Sequence, residues 1–162
     1  MAEILEFNEI FYNNFEPKVT NRFYMEIAGV PAFMVKASNR PNIQFNKITM
    51  DHINVKRYLK GVGEWQPISL TLYDPIVPSG AQAVMNWVRL SHESITGRDG
   101  YADMYKKDIN LYSLGPVGDK VEEWQLKGAF ITSANFGQMD WGTDDAVTID
   151  VEISYDYAIL EY

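Results

Sequence analysis

The chain has 162 residues, no cysteine, 14% aromatic residues and a formal net charge of −8. That length suits one domain, which should bury roughly 70% of the surface its unfolded chain exposes, and a disulfide scaffold is excluded. The lack of cysteine fits synthesis in a reducing compartment. Segment 1–16 is acidic and has neither the basic start nor the apolar run of a signal peptide. No run approaches the ~18 apolar residues of a membrane span, so a soluble protein with no membrane contact is expected.

Charge is unevenly distributed. Residues 1–127 hold all 14 Lys and Arg against 15 acids, whereas residues 128–162 hold seven acids and no base. The ordinary meaning of such a segment is a solvated acidic face.

In chain order, "NRFYMEIAGVPAFMVKAS" (21–38) predicts two short strands. Phe23, Met25 and Ile27 alternate with polar neighbours, Gly29 supplies a turn, and Phe33 and Val35 continue the pattern. "NRPN" (39–42) is a turn cluster. Residues 43–65 predict a long hairpin with its tip at Asp51 and His52, and Gly61 and Gly63 loosen its return. Gln44, Asn46, Lys47, Asn54, Lys56 and Arg57 place polar groups on both of its faces, so the hairpin (about 43–63) is expected to project from the body. Ile68, Leu70 and Leu72 then alternate with Ser69, Thr71 and Tyr73, and Pro67 marks the strand's beginning or an edge.

One helix is predicted, over about 79–93. Ser79 and Gln82 have capping-box spacing, and Ala81, Val84, Met85 and Val88 form an apolar stripe that Trp87 and Leu90 widen. Residues 93–103 are loop-like. Strands resume at 107–115 and 121–136, with Gly128 breaking the second. The last strand, "VTIDVEISYDY" (147–157), alternates Val147, Ile149, Val151, Ile153, Tyr155 and Tyr157 with a face carrying Asp150, Glu152 and Asp156. The class is mainly β.

Catalytic motifs are missing. His52 and His92 have no evident partners in the sequence, and "GPVGDK" (115–120) lacks phosphate-loop spacing. "DWGTDD" (140–145) is a possible cation site but lacks the ligand spacing of an EF-hand. The nearest approach to clustered bases is Lys47, Lys56, Arg57 and Lys60, with Asp51 and Glu64 nearby. On a projecting ribbon they serve either as an edge that deters aggregation or as a dock for an acidic neighbour, such as another copy of the chain.

The order of a strand pair, a long polar hairpin, "EWQPISLTLYD", one capped helix and the acidic-aromatic ending "EISYDYAILEY" resembles the tail tube proteins of contractile-tailed bacteriophages. Related tubes serve type VI secretion and other contractile injection systems. The resemblance implies an antiparallel β-sandwich or small barrel with one flanking α-helix, as a single domain over 1–162. It further implies hexameric rings that stack into a tube within a virion assembled in the bacterial cytoplasm. Sheath, baseplate and tail terminator proteins would be partners. DNA would pass without specific binding, and no enzyme activity, metal or cofactor is expected. On that basis Lys47, Lys56, Arg57 and Tyr58 are candidates for ring stacking, and Asp150, Glu152 and Asp156 for channel-facing acids. Two other classes compete: a monomeric β-sandwich that holds a ligand with Trp65, Tyr73, Trp124 and Trp141, and a hydrolase that uses acids between Asp140 and Asp150.

Overall fold

The computed structural model describes residues 15–162, so most of the acidic opening segment lies outside the described residues. The strands are β1 (Phe23–Ile27), β2 (Val35–Ser38), β3 (Asn42–His52), β4 (Val55–Gln66), β5 (Ile68–Tyr73), β6 (Lys107–Leu114), β7 (Lys120–Asn135), β8 (Thr148–Ser154) and β9 (Tyr157–Leu160). Helix α1 spans Gly80–Ser91 and the one-turn α2 spans Ala102–Tyr105. The protein is mainly β, as the sequence predicts, with two short helices rather than one.

Among the described residues, seven strands form an antiparallel sheet in the order β1-β6-β7-β8-β5-β2, with β9 also on β7, while β3 and β4 pair only with each other. Strand β7 joins two halves of this sheet. Residues Lys120 to Ala129 pair with β6 and β9, and Phe130 to Asn135 pair with β8. The change of partner occurs beside Gly128, whose φ is +66° and where a β-carbon would collide with the Asp156 carboxylate. Glycine tolerates both conditions. Gly128 thus bends the strand instead of breaking it, because the ladder resumes at once with a new neighbour.

The bend turns the inner faces of both halves toward each other. Ile68, Leu70 and Leu72 of β5 and Ile149, Val151 and Ile153 of β8 meet Met25, Ile27, Ile109, Leu111 and Leu126 in one buried cluster. Each such side chain contributes about 1.5–3 kcal/mol when fully buried. Helix α1 adds Val84 and Trp87, and the Trp87 indole N–H donates to the Tyr105 carbonyl at 2.8 Å. The start of α1 is capped twice: Ser79 Oγ accepts from the Gln82 N–H at 3.5 Å, and the Asp74 carboxylate accepts from the Gly80 and Ala81 N–H groups at 3.0 and 3.2 Å. Leu90, expected on the apolar stripe, is exposed.

Three other expectations need correction. The first two strands do not pair with each other; β1 joins β6 and β2 joins β5. Between them a 3-10 turn over Ala32–Met34 shifts the phase, so Met34 is buried and Phe33 faces out. The last alternating run is two strands, since β8 ends at Ser154 and β9 begins at Tyr157.

Candidate assembly surfaces

The hairpin β3–β4 emerges at the start of β5. Its base is anchored where the Trp65 ring meets Tyr155, with centroids 6.0 Å apart. Beyond that point every residue of β3 is exposed. Both arms extend through Gly61 and Gly63, which lie within β4 rather than loosening it. A bulge sits here, because Phe45 faces Gly63 while Lys47 faces Lys60. A β-carbon at Gly63 would stand 2.6 Å from the Phe45 ring, and one at Gly61 would stand 2.7 Å from the Asn46 carbonyl oxygen. The ring lies over the bare backbone of Gly63, and Lys60 Nζ sits 4.7 Å from the ring centroid.

The cross-strand register sorts the outer residues onto two faces, because directly opposed residues share a side. Ile48 opposes Leu59, Met50 opposes Arg57 and His52 opposes Val55, giving a mainly apolar face with one arginine and one histidine. Lys47 opposes Lys60, Thr49 opposes Tyr58 and Asp51 opposes Lys56, giving a polar, cationic face. Lys47 Nζ lies 4.4 Å from the Tyr58 ring centroid on that second side. The two faces therefore differ in balance, and polar groups lie on both, as the sequence predicts. Of the stacking candidates, Lys47, Lys56 and Tyr58 share the cationic face and Arg57 lies on the apolar one. The apolar face is bare: Ile48, Met50, Val55 and Leu59 are all exposed. At the tip, Ile53 is fully exposed with φ 44°, a left-handed conformation that β-branched residues rarely adopt.

Asp150 and Glu152 lie on the outer face of β8. Asp150 is flanked by Thr71 and Asn135, and Glu152 by Ser69 and Ser133. Thr71 Oγ1 donates to Asp150 at 3.0 Å. Lys36 lies over the Tyr73 ring at 5.5 Å. Asp156 stands apart from these two acids. It lies in the turn between β8 and β9, and Lys106 Nζ binds both of its carboxylate oxygens at 2.9 and 3.0 Å. Its charge is thus met by a lysine fifty residues away in sequence.

The remaining chemical candidates do not converge. His52 is exposed on the hairpin, and His92 Nδ1 lies 2.8 Å from Asp99, a partner that sequence spacing did not reveal. Asp140 accepts from the Gly142 N–H at 2.9 Å as a turn-forming side chain. No group of three or more His, Asp or Glu residues that could hold a metal occurs among the described residues. The four aromatic residues of the ligand-binding alternative are scattered: Trp65 at the hairpin base, Tyr73 on β5, Trp124 on β7, and Trp141 fully exposed in the 136–147 loop. No described helix is long and apolar enough to cross a membrane.

One charged cluster escaped the sequence reading. Glu122 of β7 is buried, with Lys18 and the Trp124 indole N–H donating to its carboxylate and Arg40 3.6 Å away. Burial pushes its pKa up, but the hydrogen bonds from Lys18 and Trp124 and the nearby cations outweigh this and hold it below the usual carboxylate range. Lys18 lies 104 positions from Glu122, so no local pattern could have linked them. Across the sheet, Tyr112 is pushed up to about 12 by burial and by the charges of Glu26 and Glu123.

No curated protein matches the sequence at a significant level. Among solved structures, a chain in the cryo-EM structure of an extracellular contractile injection system, the PVC sheath/tube terminator in its extended state, aligns with a TM-score of 0.74. The identity is 17% over 92% of this chain and 99% of that one. A chain in the anti-feeding prophage tube terminating cap aligns at 0.71, with 20% identity over 93% and 95% of the two chains. A chain in the PVC sheath-tube complex in its extended state aligns at 0.65, with 17% identity over 98% and 99%. At these identities the likeness establishes a shared fold. The sequence itself matches a family over residues 19–159, from ahead of β1 into β9, and that family is described as T4-like virus tail tube protein gp19. The chain belongs to this tail tube family, which is structural and not enzymatic.

Proposed function

We propose that this chain, as a single domain, assembles into hexameric rings that stack into a tube, with a channel through which DNA passes. The observation that carries this reading is the hairpin, whose apolar face has no cover among the described residues. Two strands alone are marginal in water, and a bare apolar ribbon on a monomer invites aggregation. A stack gives every hairpin the same neighbour. The sheet supports the reading as well, since among the described residues its strand path ends at β1 and β2 without closing on itself. Ring closure removes such free edges through heterologous contacts that close when the rotation per copy is right. In this assembly Lys47, Lys56, Arg57 and Tyr58 belong to the stacking element.

The outer face of β5, β8 and the end of β7 lines the channel, with Asp150 and Glu152 among serine, threonine and asparagine. Duplex DNA carries one negative charge per about 1.7 Å of axis, and each cation docked on phosphate adds attraction. Carboxylates and hydroxyls leave DNA free to slide. Asp156, already paired with Lys106, is not part of this lining. Sheath, baseplate and terminator proteins are the partners expected at the outside and ends of the tube.

Light scattering and negative-stain microscopy of the purified protein test the reading. Rings and tubes are expected. A monodisperse 18.6 kDa species at every concentration and salt condition overturns it.

A further inference from the structure

The hairpin and the 136–147 loop leave the body at opposite ends. The hairpin runs directly into the start of β5, whereas the loop ends beside the finish of that strand, where Thr148 pairs with Tyr73 and the Asp74 N–H donates to the Val147 carbonyl at 3.2 Å. Strand β5 separates the two by its six residues, roughly 20 Å. An eleven-residue arm reaches roughly 35 Å when extended. In a head-to-tail stack, therefore, the hairpin of one copy arrives at the loop end of the next.

The chemistry of the two ends is complementary. The hairpin carries Lys47, Lys56, Arg57 and Lys60 against Asp51 and Glu64, while the loop carries Asp140, Asp144 and Asp145 and no base. The hairpin has a bare apolar face with one cation, Arg57. The loop presents Trp141 fully exposed and Met139 87% exposed. Asp140 and Asp145 line a cleft within this loop together with Gln138 and Thr143. An exposed tryptophan next to acids matches an apolar ribbon with an embedded arginine, since interfaces are enriched in aromatic residues, Met and Arg. The tip points the same way. Left-handed backbone is strained for a β-branched residue, yet Ile53 adopts it and holds a large apolar side chain directed at solvent.

We infer that the 136–147 loop is the acceptor for the hairpin of the next copy: Leu59 and its apolar neighbours cover Trp141 and Met139, and Arg57 faces Asp140 and Asp145. This rests on the stacked-tube reading. The absence of cysteine makes it directly testable. In a chain carrying both Leu59→Cys and Trp141→Cys, oxidation of the assembled protein should link copies along the stack. The product expected is a ladder on non-reducing gels that runs past six subunits, whereas either cysteine alone stops at a dimer. Met50→Cys with Met139→Cys is a second pair with the same expectation. In parallel, Arg57→Glu should leave rings but shorten tubes at least tenfold, and Asp140→Arg with Asp145→Arg in the same chain should restore their length.

If wild type forms tubes but neither cysteine pair gives a ladder, the loop is not the acceptor, and the stacked-tube reading stands. Arg57→Glu tubes of wild-type length also overturn the acceptor assignment alone. If wild type forms no rings or tubes at all, the functional reading fails and the acceptor falls with it.

Discussion

Two antiparallel pairs in this protein have the same local pattern and opposite surroundings. In β5 and β8 the apolar residues alternate inward, and Ile153 is fully buried against the other half of the sheet. In β3 and β4 the apolar residues also gather on one side, yet Leu59 is 54% exposed. Alternation reports that a face is meant for burial. It does not report whether the cover comes from the same chain. In β5 and β8 the cover is internal, and the pair contributes to folding. The hairpin face has no cover among the described residues, so under the proposed stacking it contributes when another copy arrives.

That contrast can be broken from either side. The largest effect is expected from Ile48→Asp with Leu59→Asp, which should abolish tubes in electron micrographs while moving the subunit's melting temperature by no more than a few degrees. A fall in Tm as large as that of a core variant would show that the hairpin face is already covered within the subunit. The reciprocal change, Leu70→Ala, should cost about 2–5 kcal/mol in urea denaturation, with tubes still forming at low temperature. Next in size is Gly128→Ala, which combines a positive φ with the Asp156 contact. It should cost about 1–3 kcal/mol, and a neutral result would mean that the bend of β7 does not depend on this residue. Asp150→Lys with Glu152→Lys should leave stability and tube length unchanged while slowing DNA release from assembled particles. Unchanged release would remove these two acids from the channel wall.

The smallest effects are in pH. Glu122 is held below its ordinary pKa in the folded state, so its stabilisation is complete above the unfolded value near pH 4.3 and is lost as pH falls through the lower folded value. Glu122→Gln should therefore flatten the acid limb of stability measured by urea midpoints. Tyr112 has the opposite sign. Its raised folded pKa favours the neutral phenol, so its contribution is complete below about pH 10 and declines toward pH 12. Tyr112→Phe should reduce that alkaline loss.

The legible parts of the sequence were those encoded over short range: the alternation of β8, the Ser79 cap, the position of the hairpin and the two-residue periodicity of β5. The amphipathic character of the hairpin is hidden by its polar residues, since Arg57 and His52 share the face of Ile48, Met50, Val55 and Leu59. Glu122 was hidden for another reason, since its partners Lys18 and Arg40 come from distant segments that only the folded sheet brings together. Asp156 continued the alternation of β8 on paper, but the chain turns after Ser154 and delivers it to Lys106.

The most direct test of the contrast between the two strand pairs is a cryo-EM reconstruction of the assembled protein in which side chains are traced along β3 and β4. The expected result is that Ile48, Met50, Val55 and Leu59 of every copy are buried on the ring next to it. A reconstruction in which the hairpin stands free in solvent, or folds back on its own subunit, would contradict the account.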